Sequence, residues 1–234
     1  MRACLILLAL ALVLCGRAAA HNYEERAELA QFFEAQKVTG TFVLFDPASE
    51  TMLVSNEARA KERFTPASTF KIANSLIGLE VGAVRDIDEV LPYGGQPQRI
   101  KAWEKDMNLR DAIKASNVAV YRELARRIGL ERMRDMVRKL GYGNADIGGV
   151  VDRFWLDGPL AISAVEQTEF LARLAEGKLP VSAAAISAVK EITLLEKTDR
   201  YELHGKTGWY WPDDGGQQIG WWVGWIERDG KAYP

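Results

Sequence analysis

Strand-forming residues are confined to the two ends of this chain of 234 residues, and the long middle is patterned for helices. Near the start, "TFVLFD" (residues 41–46) and "TMLVS" (residues 51–55) are short β-like runs joined by the turn-prone "DPASE". Near the end, "YELHGKTG" (201–208) and "IGWWVGWIER" (219–228) have the same character. Between them Tyr121, Leu124, Ala125 and Ile128 keep helical spacing, and Met133, Met136, Val137 and Leu140 repeat it until Gly141. A further helix opens at "SAVE", where Ser163 and Glu166 make a capping box, and runs to about Glu176. Strands drawn from both ends must meet across whatever lies between. The expected fold is α+β: a largely antiparallel sheet of N- and C-terminal strands, with flanking helices and an inserted helical lobe. A cleft between sheet and lobe is then the natural place for a site.

With 48% apolar residues the chain can build one sizeable core. No internal repeat or low-complexity tract interrupts it. A formal net charge of −2 implies no general attraction to nucleic acid. The arginines between Arg122 and Arg138 alternate with apolar positions and are diluted by Glu123, Glu131 and Asp135, as on a solvated helix face.

The first residues, "MRACLILLALALVLCGRAAA", combine Arg2, an apolar core (3–15) and small residues at Ala18 and Ala20. They read as a cleavable signal peptide over 1–20, with the folded domain over 21–234. The apolar run is short for a bilayer span, and Leu14 before Cys15 argues against a lipoprotein. Both cysteines, Cys4 and Cys15, fall inside the leader, so the mature chain has no disulfide, thiol nucleophile or thiolate metal site. His21 and His204 are the only histidines. No His-rich metal centre can be built from them, and a Ser–His–Asp triad would rest on His204 alone. A serine nucleophile in this chain needs another base.

The stretch "PASTFKIANSLIGLE" (66–80) offers one. Lys71 stands among Phe70, Ile72, Ala73, Leu76 and Ile77, three residues after Ser68. The ordinary reading is a snorkelling surface lysine; the sharper one is that Lys71 acts on Ser68. Pro66 suits the first turn of a helix. It would put Ser68 where backbone N–H groups are free and the dipole favours developing negative charge, with Lys71 on the same face. A second S-x-x-K, Ser187 and Lys190, has no such start signal before it and reads as an ordinary amphipathic helix. Keeping a lysine neutral near pH 7 takes about 4 kcal/mol, within what full burial does. The neutral amine can deprotonate serine directly, or can add carbon dioxide and become a carbamate base. "SNV" (116–118) joins two helical stretches and can bring the Ser116 hydroxyl in as a proton shuttle. "KTG" (206–208) ends a strand-like run where Lys206 and Thr207 can bind a carboxylate and Gly208 lets substrate lie against the strand. S-x-x-K, S-x-x and K-T-G in that order are the set of penicilloyl serine transferases.

With "PASTFK", "SNV", "YGN" (142–144), "FWLDGPLAIS" (154–163), "GKTGW" and "GWWVGW" (220–225), the chain resembles the class D, oxacillinase-type serine β-lactamases of the penicillin-binding/transpeptidase-like superfamily. A class A chain would carry S-D-N in place of Ser116-Asn117-Val118. The resemblance implies a periplasmic enzyme that opens the β-lactam ring of penicillin-type antibiotics through an acyl-enzyme on Ser68, giving resistance. It implies that Lys71 is N-carboxylated (N6-carboxylysine) and is the general base of both half-reactions. Carbon dioxide or bicarbonate supplies the modification, with no bound cofactor and no metal. Ser116 would relay protons, Val118 line the pocket beside the modified lysine, Trp155 donate its indole N–H to the carbamate, and Leu156 screen it from water. Lys206, Thr207 and Gly208 would meet the substrate. The backbone N–H groups of Ser68 and Trp209 would form the oxyanion hole, each worth roughly 3 kcal/mol.

Apart from the resemblance, Trp155 is a core aromatic, and Trp221, Val223 and Trp225 are the buried face of a strand. "YGN" is a helix C-terminal turn in which Gly143 and Asn144 tolerate left-handed geometry, and His204 is a strand residue without catalytic duty. Family members continue past "DGKAYP" with another strand, whose arginine pairs with the β-lactam carboxylate, and a terminal helix over the sheet. No residue here inherits that arginine's role. The expectation is a C-terminally incomplete domain with an exposed sheet edge and apolar face, hence poor solubility or stability.

The alternative to turnover is a β-lactam sensor acylated once. A sensor needs a membrane-spanning tether, and the cleavable leader and lack of a second hydrophobic span count against one. A D-alanyl-D-alanine peptidase is disfavoured by the small single domain, and a purely binding role leaves Lys71 unexplained. The expected partner is a small-molecule β-lactam, with no nucleic acid and no stable membrane insertion; monomer and homodimer both stay open. The loop "WYWPDDGGQQ" (209–218) is expected to help set which β-lactams are taken.

Overall fold

The computed structural model describes residues 22–234, so the expected leader, with Cys4, Cys15 and His21, lies outside the described residues. In chain order the elements are β1 (Asn22–Glu25), α1 (Ala30–Ala35), β2 (Phe42–Asp46), β3 (Thr51–Ser55), α2 (Glu57–Lys61), α3 (Lys71–Glu80), α4 (Leu109–Lys114) and α5 (Val118–Ile128). They continue with α6 (Leu130–Leu140), α7 (Ala164–Ala175), α8 (Ala183–Thr193), β4 (Leu194–Lys197), β5 (Glu202–Tyr210), β6 (Ile219–Arg228) and β7 (Lys231–Tyr233). The α+β expectation holds, with strands from both ends and helices between.

The pairing differs from a single antiparallel ladder. One sheet runs β1-β3-β2 and the other β4-β5-β6-β7. They are joined where the Phe45 N–H donates to the Pro234 carbonyl at 2.9 Å. The β2–β3 hairpin is antiparallel, whereas β1 lies parallel to β3. The chain reverses twice between those strands, once through α1 and once at the hairpin, so β1 and β3 end pointing the same way.

The long helical stretch is also divided. Gly129, at φ +82°, ends α5 and starts α6. The step from Ile128 to Met133 is longer than one helical repeat, and it marks the break. Both apolar stripes are buried as their spacing requires.

Helix α3 is the axis of the core. Ile72, Ala73, Leu76 and Ile77 are almost wholly excluded from solvent, and the helix packs on α5 and α8. Each large aliphatic side chain so buried contributes about 1.5–3 kcal/mol, so the helix that follows Ser68 is firmly seated. At α7 the capping box forms as expected, with the Ser163 hydroxyl taking the Glu166 N–H and the Glu166 carboxylate taking the Ser163 N–H. Arg63 Nε also donates to Glu166, at 3.0 Å. Phe64 and Ile162 exchange backbone hydrogen bonds at 2.9 Å, which fastens the segment before Ser68 to the start of α7. The arginine face is solvated and paired: Arg122 and Arg126 share Asp152, and Arg127 meets Glu89 and Glu123.

Candidate active site

Pro66 caps a single 3-10 turn, Ala67–Phe70, that leads into α3; it does not open the α-helix itself, as the sequence suggested. Ala67 is left-handed at φ +48°, a conformation that costs an L-residue about 1–2 kcal/mol. Ser68 follows it directly. Such strain persists only where surroundings over-determine it, and here three elements do. From β6, the Trp221 indole N–H donates to the Thr65 carbonyl at 2.9 Å. From β5, Gly208 lies so close that a Cβ there would sit 2.9 Å from Thr69 Cγ2 and 3.0 Å from the Pro66 oxygen. From α7, Gln167 Nε2 donates to Thr69 Oγ1 at 2.7 Å.

Lys71 is fully buried, and its Nζ donates to Ser68 Oγ at 2.7 Å. Burial first, and the Lys206 charge second, hold its pKa well below the ordinary lysine value. The snorkelling reading is thereby excluded. Ser75 takes up the carbonyl of Lys71 at 2.8 Å and shares a 2.8 Å hydrogen bond with the buried Tyr121 hydroxyl, so the base is braced from below.

Across the cleft, Ser116 lies between α4 and α5 at φ +53°. Asn117 fixes that corner: its Oδ1 caps the Val120 N–H at 3.2 Å, while its Nδ2 donates to the Trp103 carbonyl at 3.1 Å. Lys206 Nζ donates to Ser116 Oγ at 3.0 Å and to the Thr207 carbonyl at 2.8 Å. Burial pushes Lys206 down to about 8. The hydroxyl expected to serve the nucleophile thus has its hydrogen bond to Lys206.

Val118, the first residue of α5, and Leu156 are half-buried. Trp155 is wholly buried and stacks on Phe70, the residue before Lys71, with centroids 5.5 Å apart. Its indole N–H has no hydrogen-bond partner among the described residues, which a core aromatic seldom tolerates. Thr207 and Trp209 are exposed on β5. Trp209 stacks on Trp211 at 5.0 Å, and Arg99, from the segment between α3 and α4, lies 4.1 Å over the Trp211 ring. Trp209 and Trp211 of this rim open the 209–218 loop expected to help set which β-lactams are taken.

Some residues lie elsewhere or act differently. Ser187 is exposed on α8, and Lys190 pairs with Glu227 at 2.6 Å. Within "YGN" only Gly143 is left-handed; the next left-handed residue is Ala145, just after Asn144. A Cβ on Gly143 would lie 2.3 Å from the Ala161 oxygen. His204 is stacked flat on Trp225 at 4.4 Å, with Glu202 and Glu227 near its Nε2. These three residues can bring ligand atoms within 4.8 Å of one another, but the Lys190 ammonium already sits on Glu227. An apolar cavity of about 780 Å³ lies between β2, α7 and β6, lined by Phe42, Leu44, Leu171, Trp222 and Ile226. Neither Ser68 nor Lys71 nor Lys206 lines it, so this cavity is separate from the serine–lysine pair.

Sequence reasoning missed Thr69, Tyr142 and Gln167, which form a buried polar cluster beneath the nucleophile. A signal existed: Gln167 opens the stripe Gln167, Phe170, Leu171, Leu174, a polar residue in an inward-facing position.

Residues 40–234 match the family model of the penicillin binding protein transpeptidase domain, the class of protein that this fold and serine–lysine pair define. Beta-lactamase OXA-5 of Pseudomonas aeruginosa is 44% identical over 202 residues, covering 86% of this chain and 76% of the relative. Beta-lactamase OXA-48 of Klebsiella pneumoniae is 42% identical, over 92% of this chain and 81% of the relative. Among solved structures, FUS-1 (OXA-85), a class D β-lactamase from Fusobacterium nucleatum subsp. polymorphum, superposes with a TM-score of 0.85 at 47% identity, covering 90% of this chain and 87% of its own. The chain belongs to the transpeptidase-domain family and, within it, to the class D β-lactamases.

Proposed function

We propose that this class D β-lactamase opens the β-lactam ring through an acyl-enzyme on Ser68, with Lys71 as the base. One observation carries the reading: a fully buried lysine nitrogen 2.7 Å from a serine oxygen, in a setting that favours the neutral amine. A neutral Lys71 takes the Ser68 proton as Oγ bonds to the lactam carbonyl carbon. The backbone N–H groups of Ser68 and Trp209 receive the developing oxyanion. The lactam C–N bond breaks, and the ring nitrogen takes a proton through Ser116, to which Lys206 is hydrogen-bonded. Lys206, Thr207 and Gly208 hold the substrate along β5, and the Trp209–Trp211–Arg99 rim tunes which side chains enter.

Carbon dioxide added to the Lys71 amine would supply an anionic oxygen base for both half-reactions, and the unpartnered Trp155 N–H is a buried donor suited to such an anion. Val118 and Leu156 then limit water at that end of the pocket. Water entering the acyl-enzyme and attacking the ester carbonyl completes hydrolysis. The leader-like residues 1–20 support a periplasmic location.

Steady-state and single-turnover kinetics with a penicillin test the scheme. Lys71→Ala should lower turnover at least about a hundredfold, and near-normal hydrolysis would remove the base. Bicarbonate should restore activity at mildly acidic pH; indifference there would count against carboxylation. Stoichiometric acylation without product release would point to a sensor.

A further inference from the structure

We propose that Gln167 is a positioning residue for acylation: through Thr69 it fixes the turn from Pro66 to Thr69 that presents the Ser68 hydroxyl and N–H. This rests on Ser68 being the acylated residue. The side chain of Gln167 is buried on α7, and its amide Nε2 donates to Thr69 Oγ1 at 2.7 Å. The single proton of the Thr69 hydroxyl goes to the Pro66 carbonyl at 2.8 Å, so Thr69 can only accept from Gln167. The Thr69 N–H donates to the same Pro66 carbonyl at 3.2 Å. At its other end the Gln167 carbonyl oxygen receives the hydroxyl of the buried Tyr142 at 3.4 Å. The amide is therefore used in both senses, as donor to Thr69 and as acceptor from Tyr142, whose hydroxyl also lies against Thr69.

The Pro66 carbonyl is the peptide oxygen immediately before left-handed Ala67. Without a correctly aimed Thr69 hydroxyl that carbonyl is held by the Thr69 N–H alone, which loosens the Pro66–Ala67 peptide and lets Ala67 relax toward ordinary backbone geometry. Ser68 would swing with it. Gly208, one residue before Trp209, lies against the same Pro66 oxygen and Thr69. The two oxyanion donors thus sit on two elements, and Gln167 holds one of them in register with the other. A residue that merely filled the core would affect folding and leave the rate of the acylated fraction alone.

The test uses Thr69→Val, Gln167→Met, the double variant and Thr69→Ser, in the full chain. Acylation rate constants come from pre-steady-state bursts with a penicillin, expressed per labelled active site, alongside thermal unfolding. Each of the first two variants should slow acylation by roughly tenfold to a hundredfold. The double variant should be no slower than the slower single one, because both interrupt one relay. Thr69→Ser should recover most of the rate. Unchanged acylation in folded Thr69→Val, or independent multiplicative losses, would overturn the proposal. Should Gln167→Met fail to fold, Thr69→Val against Thr69→Ser decides alone, since Val keeps the shape of Thr. Ser68→Ala separates the two readings: label that survives it, or a wild type that takes none, sinks the Ser68 chemistry itself. Normal labelling of wild type with an indifferent Thr69→Val sinks only the positioning role.

Discussion

Two buried amines, Lys71 and Lys206, stand out at the scale of single residues, and each is held below the ordinary lysine pKa chiefly by burial. The sign of the consequence follows from proton counts. Between about pH 8 and the ordinary lysine range, the unfolded chain binds a proton at Lys206 that the folded chain has released. Raising the pH through that window therefore stabilises the fold, by roughly 3 kcal/mol in all from this one group. Below it both states are charged and the full cost of burial remains. Lys206→Gln should accordingly be more stable than wild type at pH 7, with an advantage that shrinks as pH rises from 8 toward 10. Urea unfolding at the two ends of that range checks this, and a constant difference would contradict it. The site is thus kept reactive at the expense of stability, as is common where function needs a strained or desolvated group.

Between elements, the critical contact is β5 against the nucleophile turn. Gly208 is required there by close approach, not by backbone geometry, because a Cβ would press on Thr69 Cγ2 and the Pro66 oxygen. Gly208→Ala should push the strand away from the turn and separate the Ser68 and Trp209 N–H groups. Turnover should fall roughly tenfold to a hundredfold while the unfolding midpoint changes by much less than a core truncation would cause. Loss of activity only in step with loss of folded protein would show that the spacing is unimportant. Much at this scale was legible beforehand. The capping box at Ser163 and Glu166, the buried stripes of α5 and α6 and the strands β2, β3, β5 and β6 are local patterns of period or spacing. Gln167 was missed because its stripe looked like packing, and only its partner gives an inward amide meaning.

For the molecule as a whole, surface charge has little to do with holding the fold. Arg122, Arg126 and Arg127 are answered by acids on the same surface, and the net charge is −2. Exposed pairs of this kind are worth little and are screened by salt. Raising sodium chloride from about 0.05 to about 0.5 M should move the unfolding midpoint by no more than about 2 °C. A large shift in scanning calorimetry would mean that the ion pairs carry real stability. The division into two sheets and the parallel placement of β1 belong to this scale too, since they depend on how the chain reverses between strands and not on any strand's own residues.

By itself the sequence singled out Ser68 and Lys71 as the candidate nucleophile and base, through their spacing together with the Pro66 start signal that Ser187 and Lys190 lack. It also determined the helical middle and the strands at the ends, through periodicity. Only the tertiary structure decided that Lys71 is dry, that Ser116 is hydrogen-bonded to Lys206 across 90 residues of chain, and that Gln167 reaches Thr69 across 98. Contacts between residues so far apart leave no spacing to read, and desolvation is a property of everything packed around a group.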